Sequence, residues 1–229
     1  MKKRVLFIHG GGEGAYEEDR KLAASLQDEL GAAYEVRSLQ MPDEDRPEYA
    51  AWRDRISQEL AALSGEVILV GHSLGGSILL KYLSEEEAAK PVAGLFLVAA
   101  PYWGVEDWEV GEYALQEDFA SKLLRGLAVF LYHSRDDETV PFAHLALYAE
   151  KLPQATVQEF DGRGHQFDDD LSEVARDIGR LLRRIRGGSS FERRHRDRLR
   201  AVGRRPAGHS GGWATCDRAM TRPLAERFG

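Results

Sequence analysis

Residues 71–75 read Gly-His-Ser-Leu-Gly, set between the apolar run Glu66–Val70 and the helical stretch Leu74–Ser84. A serine placed where a strand turns sharply into a helix stands on a strained corner, its hydroxyl exposed above the sheet edge. The backbone N–H of Leu74 and the N-terminus of the new helix then face any oxyanion that forms there. Gly71 and Gly75 leave room for so tight a turn, and Gly76 lets the helix lie close to neighbouring strands. The bland alternative is a helix-starting serine with glycine punctuation. Because a serine hydroxyl is a weak nucleophile at its free pKa, Ser73 needs a base, and the base needs a group to orient it.

Candidates for both occur downstream. His165, flanked by Gly162 and Gly164, sits on a loop before the last helical pattern, where the glycines suit a mobile, exposed base loop. The segment His133–Pro141 offers two acids, Asp136 and Asp137. The spacing D-x-x-V-P, with Pro141 opening the next helix, selects Asp137. Asp161 ranks below both because it lies on the base's own loop. In this arrangement Asp137 fixes the His165 tautomer, and His165 takes the Ser73 proton and later returns one to the leaving group. His9, His72, His133 and His144 only flank these motifs, and His195 and His209 fall in the C-terminal tail. A second oxyanion donor is expected from His9-Gly10-Gly11-Gly12, with Gly11 as the choice beside Leu74.

The same glycines also spell Gly10-x-Gly12-x-x-Ala15, a dinucleotide-binding fingerprint when it follows a first strand. That reading requires an acid at the end of the second strand to hold a ribose. Here the strand ends Arg37-Ser38-Leu39-Gln40, and Ser73, Asp137 and His165 would go unexplained. No cofactor and no metal are expected.

These residues need a scaffold that brings them to one edge. Strand candidates at Arg4–Ile8, Tyr34–Leu39, Glu66–Val70, Val92–Ala99, Leu127–Tyr132 and Thr156–Phe160 alternate with helix candidates near Tyr16–Leu30, Pro47–Leu63, Leu74–Ser84, Pro141–Lys151 and Asp168–Arg186. Several strands are near-continuous apolar runs, as when both faces of a parallel sheet are covered. The expected fold class is therefore α/β, about six mostly parallel strands with helices on both faces, over residues 1–186. The acid and base loops leave the carboxyl ends of such strands, the edge on which the serine corner also opens. One connection is too long for this rhythm: residues 101–122 carry Tyr102, Trp103, Trp108, Tyr113 and Phe119. Long insertions commonly form lids or pocket walls, which makes Tyr102, Trp103 and Trp108 candidate substrate contacts. The alternative is an extra packing helix whose aromatics fill core.

Composition sets the remaining bounds. The net charge of −7 conceals 21 basic against 34 acidic side chains in residues 1–186, and 10 arginines against 4 acids in residues 187–229. So acidic a body argues against nucleic acid as the main partner. The arginine-rich tail has few apolar residues and no clear period, and is expected to be disordered. A single cysteine, Cys216, excludes an internal disulfide framework and any cysteine-rich metal site. The apolar stretch after Lys2-Lys3-Arg4 is too short for a secretory signal, and no run reaches membrane-spanning length. A cytoplasmic location with no membrane partner is expected.

Taken together, the Ser, acid, His order and the strand–turn–helix context resemble the α/β-hydrolase superfamily over residues 1–186. The Gly-rich run after the first strand, Met41-Pro42-Asp43 after the second, and a Trp52-bearing helix leading to Gly-His-Ser resemble the small serine hydrolases of the retinoblastoma-binding protein 9 type. The resemblance implies a Ser73–Asp137–His165 triad and hydrolysis of small esters, thioesters or amides through an acyl-enzyme, with a small-molecule ester as the partner. Transfer to an alcohol acceptor, or a binding protein built on a hydrolase scaffold, are the other readings. The namesake's L-x-C-x-E element is not carried over, since Ala214 stands where its leucine is required before Cys216.

Overall fold

The computed structural model describes residues 2–105, 108 and 111–185. Six strands form one sheet: β1 (Lys3–Ile8), β2 (Tyr34–Leu39), β3 (Val67–His72), β4 (Val92–Val98), β5 (Ala128–Ser134) and β6 (Thr156–Phe160). Their order is β2-β1-β3-β4-β5-β6, and every pairing is parallel, so the sheet is wholly rather than mostly parallel. The helices are α1 (Ala15–Leu30), α2 (Tyr49–Ala62), α3 (Leu74–Glu85), the single turn α4 (Phe119–Lys122), α5 (Ala143–Lys151) and α6 over residues 172–185.

The period of two along each strand divides the core between the sheet's faces. Leu6, Ile8, Leu69, Leu95, Leu97 and Leu131 pack with Trp52 and Ile56 of α2, Ile78 and Leu79 of α3, and Leu145 and Tyr148 of α5. Val5, Phe7, Ile68, Val70, Phe96 and Val98 pack with Leu22 and Leu26 of α1 and Val174, Ile178 and Leu182 of α6. Both faces of the central strands are thus buried, which explains their unbroken apolar runs. From β1 the chain steps outward to β2, then returns across β1 to β3. That reversal opens a crevice at the carboxyl ends of β1 and β3, where α/β sheets hold their ligands.

The last helix begins later than its sequence pattern suggests. Phe167, Asp168 and Asp169 take positive φ angles of 50°, 52° and 57°, and α6 starts only after Asp170, whose Oδ1 accepts the Ser172 N–H at 2.8 Å. Any of three consecutive aspartates could cap a helix. The Arg163 guanidinium selects among them by binding the Phe167 and Asp170 carbonyls, which holds the preceding residues in a separate turn.

Much of the described part of the 101–122 insertion packs inward. Phe119 and Tyr113 belong to the core on the α3 face, with Tyr102 and Trp103 packed against it. Lys81 Nζ of α3 donates to the Ala114 carbonyl at 2.9 Å, and the Tyr113 hydroxyl donates to the Pro47 carbonyl. The arginine-rich tail at 187–229 lies outside the described residues. Among the described residues no helix is long and apolar enough to cross a membrane.

Candidate active site

The serine corner follows from crowding around three glycines. Ser73 has φ 49° and ψ −126°, and its N–H donates to the Val98 carbonyl at 2.8 Å, pinning the turn to β4. A non-glycine residue held in such a conformation costs about 1–3 kcal/mol and persists only where its surroundings enforce it. A Cβ on Gly71 would stand 2.6 Å from the Gly76 Cα, and one on Gly76 would stand 3.0 Å from the Ala100 Cβ. A Cβ on Gly75 would strike the Ile8 and His9 carbonyls, so α3 meets the end of β1 backbone to backbone. Neither partner can yield without moving the sheet. Gly75→Ala is accordingly expected to lower stability by about 3 kcal/mol, read as a lower urea midpoint with the slope unchanged; a midpoint equal to wild type would contradict this packing.

The acid and base loops meet as the chain order requires. His165 Nδ1 donates to Asp137 Oδ2 at 2.9 Å. Asp137 Oδ1 accepts the N–H groups of Thr139 and Val140 at 2.9 and 2.8 Å. Buried His133 brings Nε2 within 3.2 Å of Asp137 Oδ2 and also donates to the Val140 carbonyl at 2.9 Å. Burial alone would raise the pKa of the Asp137 carboxyl, but the bonds from His133, His165 and Val140 outweigh it and hold the group well below the usual carboxylate range. Asp137 is therefore an anion at neutral pH, and commits His165 to the tautomer whose Nε2 is free to accept a proton. His165 and Ser73 line one cavity of about 280 Å³ together with Gly10, Gly11, Thr139 and Gln166. No direct hydrogen bond joins the Ser73 hydroxyl to the imidazole among the described residues.

The rejected acids have other work. Asp136 Oδ1 accepts the N–H groups of Gly162 and Arg163 at 2.9 and 3.2 Å, and both its oxygens lie 3.3 Å from the Gly164 nitrogen. Its carboxyl is held low, first by the Ser134 hydroxyl and then by these backbone groups. Gly162 and Gly164 have φ angles of 72° and 56°, which explains their identity. The base loop is thus tied down at its start by Asp136 and at its end by Arg163, where sequence suggested a mobile segment. Asp161, with its side chain 88% exposed, faces solvent and Arg135.

On the opposite wall, the Gly10 N–H is taken by Asp19 Oδ2 at 2.7 Å and the Gly12 N–H by the Glu44 carbonyl at 2.6 Å. The Gly11 N–H between them takes no partner among the described residues. A Cβ on Gly11 would lie 2.7 Å from the Leu74 Cδ2, so the two segments are in contact. Glu44 also caps α1, accepting the Gly14 and Tyr16 N–H groups at 3.1 and 2.9 Å. His9, wholly buried, donates from Nδ1 to the Gly10 carbonyl and accepts the Met41 N–H at Nε2. Burial lowers its pKa and keeps it neutral.

Tyr102, Trp103 and Trp108 are not among the residues lining the Ser73 cavity. The Tyr102 N–H donates to His144 Nδ1 at 2.8 Å, and Trp103 stands edge-on to Trp108 and tilted against Tyr113. Sequence reasoning set aside His72, His133 and Asp136 and never weighed Asp19 or Glu44. One signal could have found Asp19: it continues the buried stripe of Leu22, Ala23 and Leu26 on α1, and a carboxylate on an apolar stripe requires a partner.

A parallel sheet whose third strand ends in a strained serine corner, with an aspartate-held histidine at the same edge, defines an α/β-hydrolase fold. The chain belongs to the serine hydrolase family, whose model matches residues 13–171. YdeN of Bacillus subtilis (strain 168), named as a hydrolase, is 25% identical over 182 residues, covering 74% of this chain and 89% of that protein. The crystal structure of the ydeN gene product superposes with a TM-score of 0.63 at 22% identity, over 79% of this chain and 99% of its own. CarC, a serine hydrolase involved in carbazole degradation, gives 0.63 at 16% identity over 79% and 90%. Est1E from Butyrivibrio proteoclasticus gives 0.58 at 18% over 79% and 87%. At these identities the structural likeness is one of fold.

Proposed function

We propose that this hydrolase cleaves small carboxylic esters through an acyl-enzyme on Ser73, with His165 as general base and acid and Asp137 as the orienting anion. The observation that carries this reading is the His165–Asp137 bond, which occupies Nδ1 and leaves Nε2 as the open nitrogen of a ring that lines one cavity with Ser73. Ser73 Oγ attacks the ester carbonyl carbon while His165 Nε2 takes the hydroxyl proton. The carbonyl oxygen becomes an oxyanion that accepts the Gly11 and Leu74 N–H groups. Collapse breaks the bond to the alkoxy oxygen, which leaves as an alcohol carrying the proton from His165. Water, deprotonated by the same nitrogen, then attacks the acyl carbon, and the acid departs as Ser73 recovers its proton. Asp137 stays ionised throughout and balances the transient imidazolium.

A fluorophosphonate probe tests the nucleophile directly. After labelling and digestion, the modified peptide is expected to contain Ser73. Labelling mapped to another serine, or an unlabelled protein that also gives no burst with nitrophenyl, thioester and amide substrates, would overturn the proposal.

A further inference from the structure

His72, next to the nucleophile, has an acceptor at each ring nitrogen. Nδ1 lies 2.8 Å from Asp19 Oδ2, and Nε2 lies 3.0 Å from the His165 carbonyl oxygen. A carbonyl can only accept, so Nε2 carries a hydrogen; with Asp19 ionised, Nδ1 carries one too. Both side chains are 1% exposed, so water cannot substitute for either bond. The same Asp19 oxygen accepts the Gly10 N–H at 2.7 Å. One buried pair therefore touches the Gly10–Gly11 turn, the serine corner and the base loop, and the His72 and His165 rings stand 4.8 Å apart.

We infer that His72 is a positioning residue, held as an imidazolium against Asp19, which fixes the His165 backbone and the Gly10–Gly11 turn relative to Ser73. The catalytic part of this inference rests on the triad proposed above; the anchoring of the base loop does not. Burial opposes charge on both partners, but their mutual attraction outweighs it, raising the His72 pKa and lowering that of Asp19. That places the shared proton on the ring. The other titratable groups facing His72 are His9 after β1, Asp137 after β5 and His165 itself, and the Asp137 anion also favours the imidazolium.

Asp19→Asn keeps the size and an acceptor for the Gly10 N–H while removing the charge. The buried ring then loses its extra proton near neutral pH, and one nitrogen turns a lone pair toward an acceptor. The variant is expected to lose about 10- to 100-fold in kcat, as displacement of a catalytic group by an ångström does, with KM little changed. The ratio of variant to wild-type acylation rates should climb as the pH falls below about 6.5, the ordinary imidazole value that burial lowers once the Asp19 anion is gone, because acid restores the imidazolium. A merely structural role leaves the ratio flat, and a flat ratio overturns the inference. Independently of activity, ¹⁵N spectra of the wild-type protein should show both His72 nitrogens protonated near neutral pH. A singly protonated ring there would overturn the inference even in an active enzyme. If the wild-type protein is not labelled at Ser73, the triad fails instead. The His72 spectrum, with amide exchange at residues 164–166 in Asp19→Asn, then decides the anchoring alone: faster exchange supports it and unchanged exchange refutes it.

Discussion

His165→Ala is expected to lower kcat on a nitrophenyl ester by about 10⁵- to 10⁶-fold while leaving KM within a few-fold of wild type. The size follows from the role proposed for the imidazole: without it Ser73 loses the base that Asp137 orients, and the hydroxyl reverts to a weak nucleophile. The Gly11 and Leu74 N–H groups, the oxyanion donors proposed above, are untouched by the substitution, so some residual rate over water should survive. If base and nucleophile act as a unit, as proposed, adding Ser73→Ala to His165→Ala should cost little more. The fold should tolerate the change. The base loop is held by Asp136 at Gly162–Gly164 and by Arg163 at Phe167 and Asp170, contacts that do not use the imidazole. The measurement is steady-state kinetics of both single variants and the double variant against wild type. A near-normal rate in His165→Ala would remove that residue from the mechanism, and strictly additive losses would mean that the two side chains act separately.

The central strands were legible because buried parallel strands write themselves as apolar runs, and all six strands fall within two residues of their sequence candidates. The serine corner was legible for a related reason: Gly71, Gly75 and Gly76 are required by backbone contacts, and steric demands leave their mark on residue type. What could not be read were the ionic partners brought together by the fold. Asp19 and His72 are 53 positions apart and meet only because α1 lies across the carboxyl end of β3. Asp136 and Asp137 are adjacent and chemically identical, and only the backbone turn after β5 decides which reaches the imidazole and which caps the glycine loop. The aromatic insertion left two readings open for a different reason. Tyr113 and Phe119 fill core, and a run of letters does not distinguish a ring that seals a core from one that faces a ligand.

Asp137→Asn should lower kcat by about 10⁴-fold with little change in KM. The substitution keeps the shape of the side chain, and its amide oxygen can still accept the Thr139 and Val140 N–H groups. What is lost is the second acceptor. Oδ2 receives His165 Nδ1–H at 2.9 Å and lies 3.2 Å from His133 Nε2, and an NH₂ group in its place presents a donor to both. His165 then prefers the tautomer with its hydrogen on Nε2, where it cannot accept the serine proton. Stability changes with a definite sign. The Asp137 pKa is depressed in the folded protein, so the stabilisation it provides is complete above the unfolded carboxylate value of about 4 and is lost as pH falls below it toward the folded value. Asp137→Asn should therefore be less stable than wild type by about 2 kcal/mol at pH 7, the worth of hydrogen bonds to a buried anion. The gap should narrow as the pH drops below about 4. Urea midpoints of both proteins across that range check this, and a gap that stays constant into acid would mean that Asp137 gains nothing from ionisation in the fold. The two readouts are separable, because Asp136→Asn touches neither imidazole nitrogen. It removes a carboxylate that holds the Gly162–Gly164 turn, so it loosens the base loop without reversing the tautomer. Its kcat should fall far less than that of Asp137→Asn, and it is that contrast between neighbours which distinguishes the orienting acid from the residue that carries its loop.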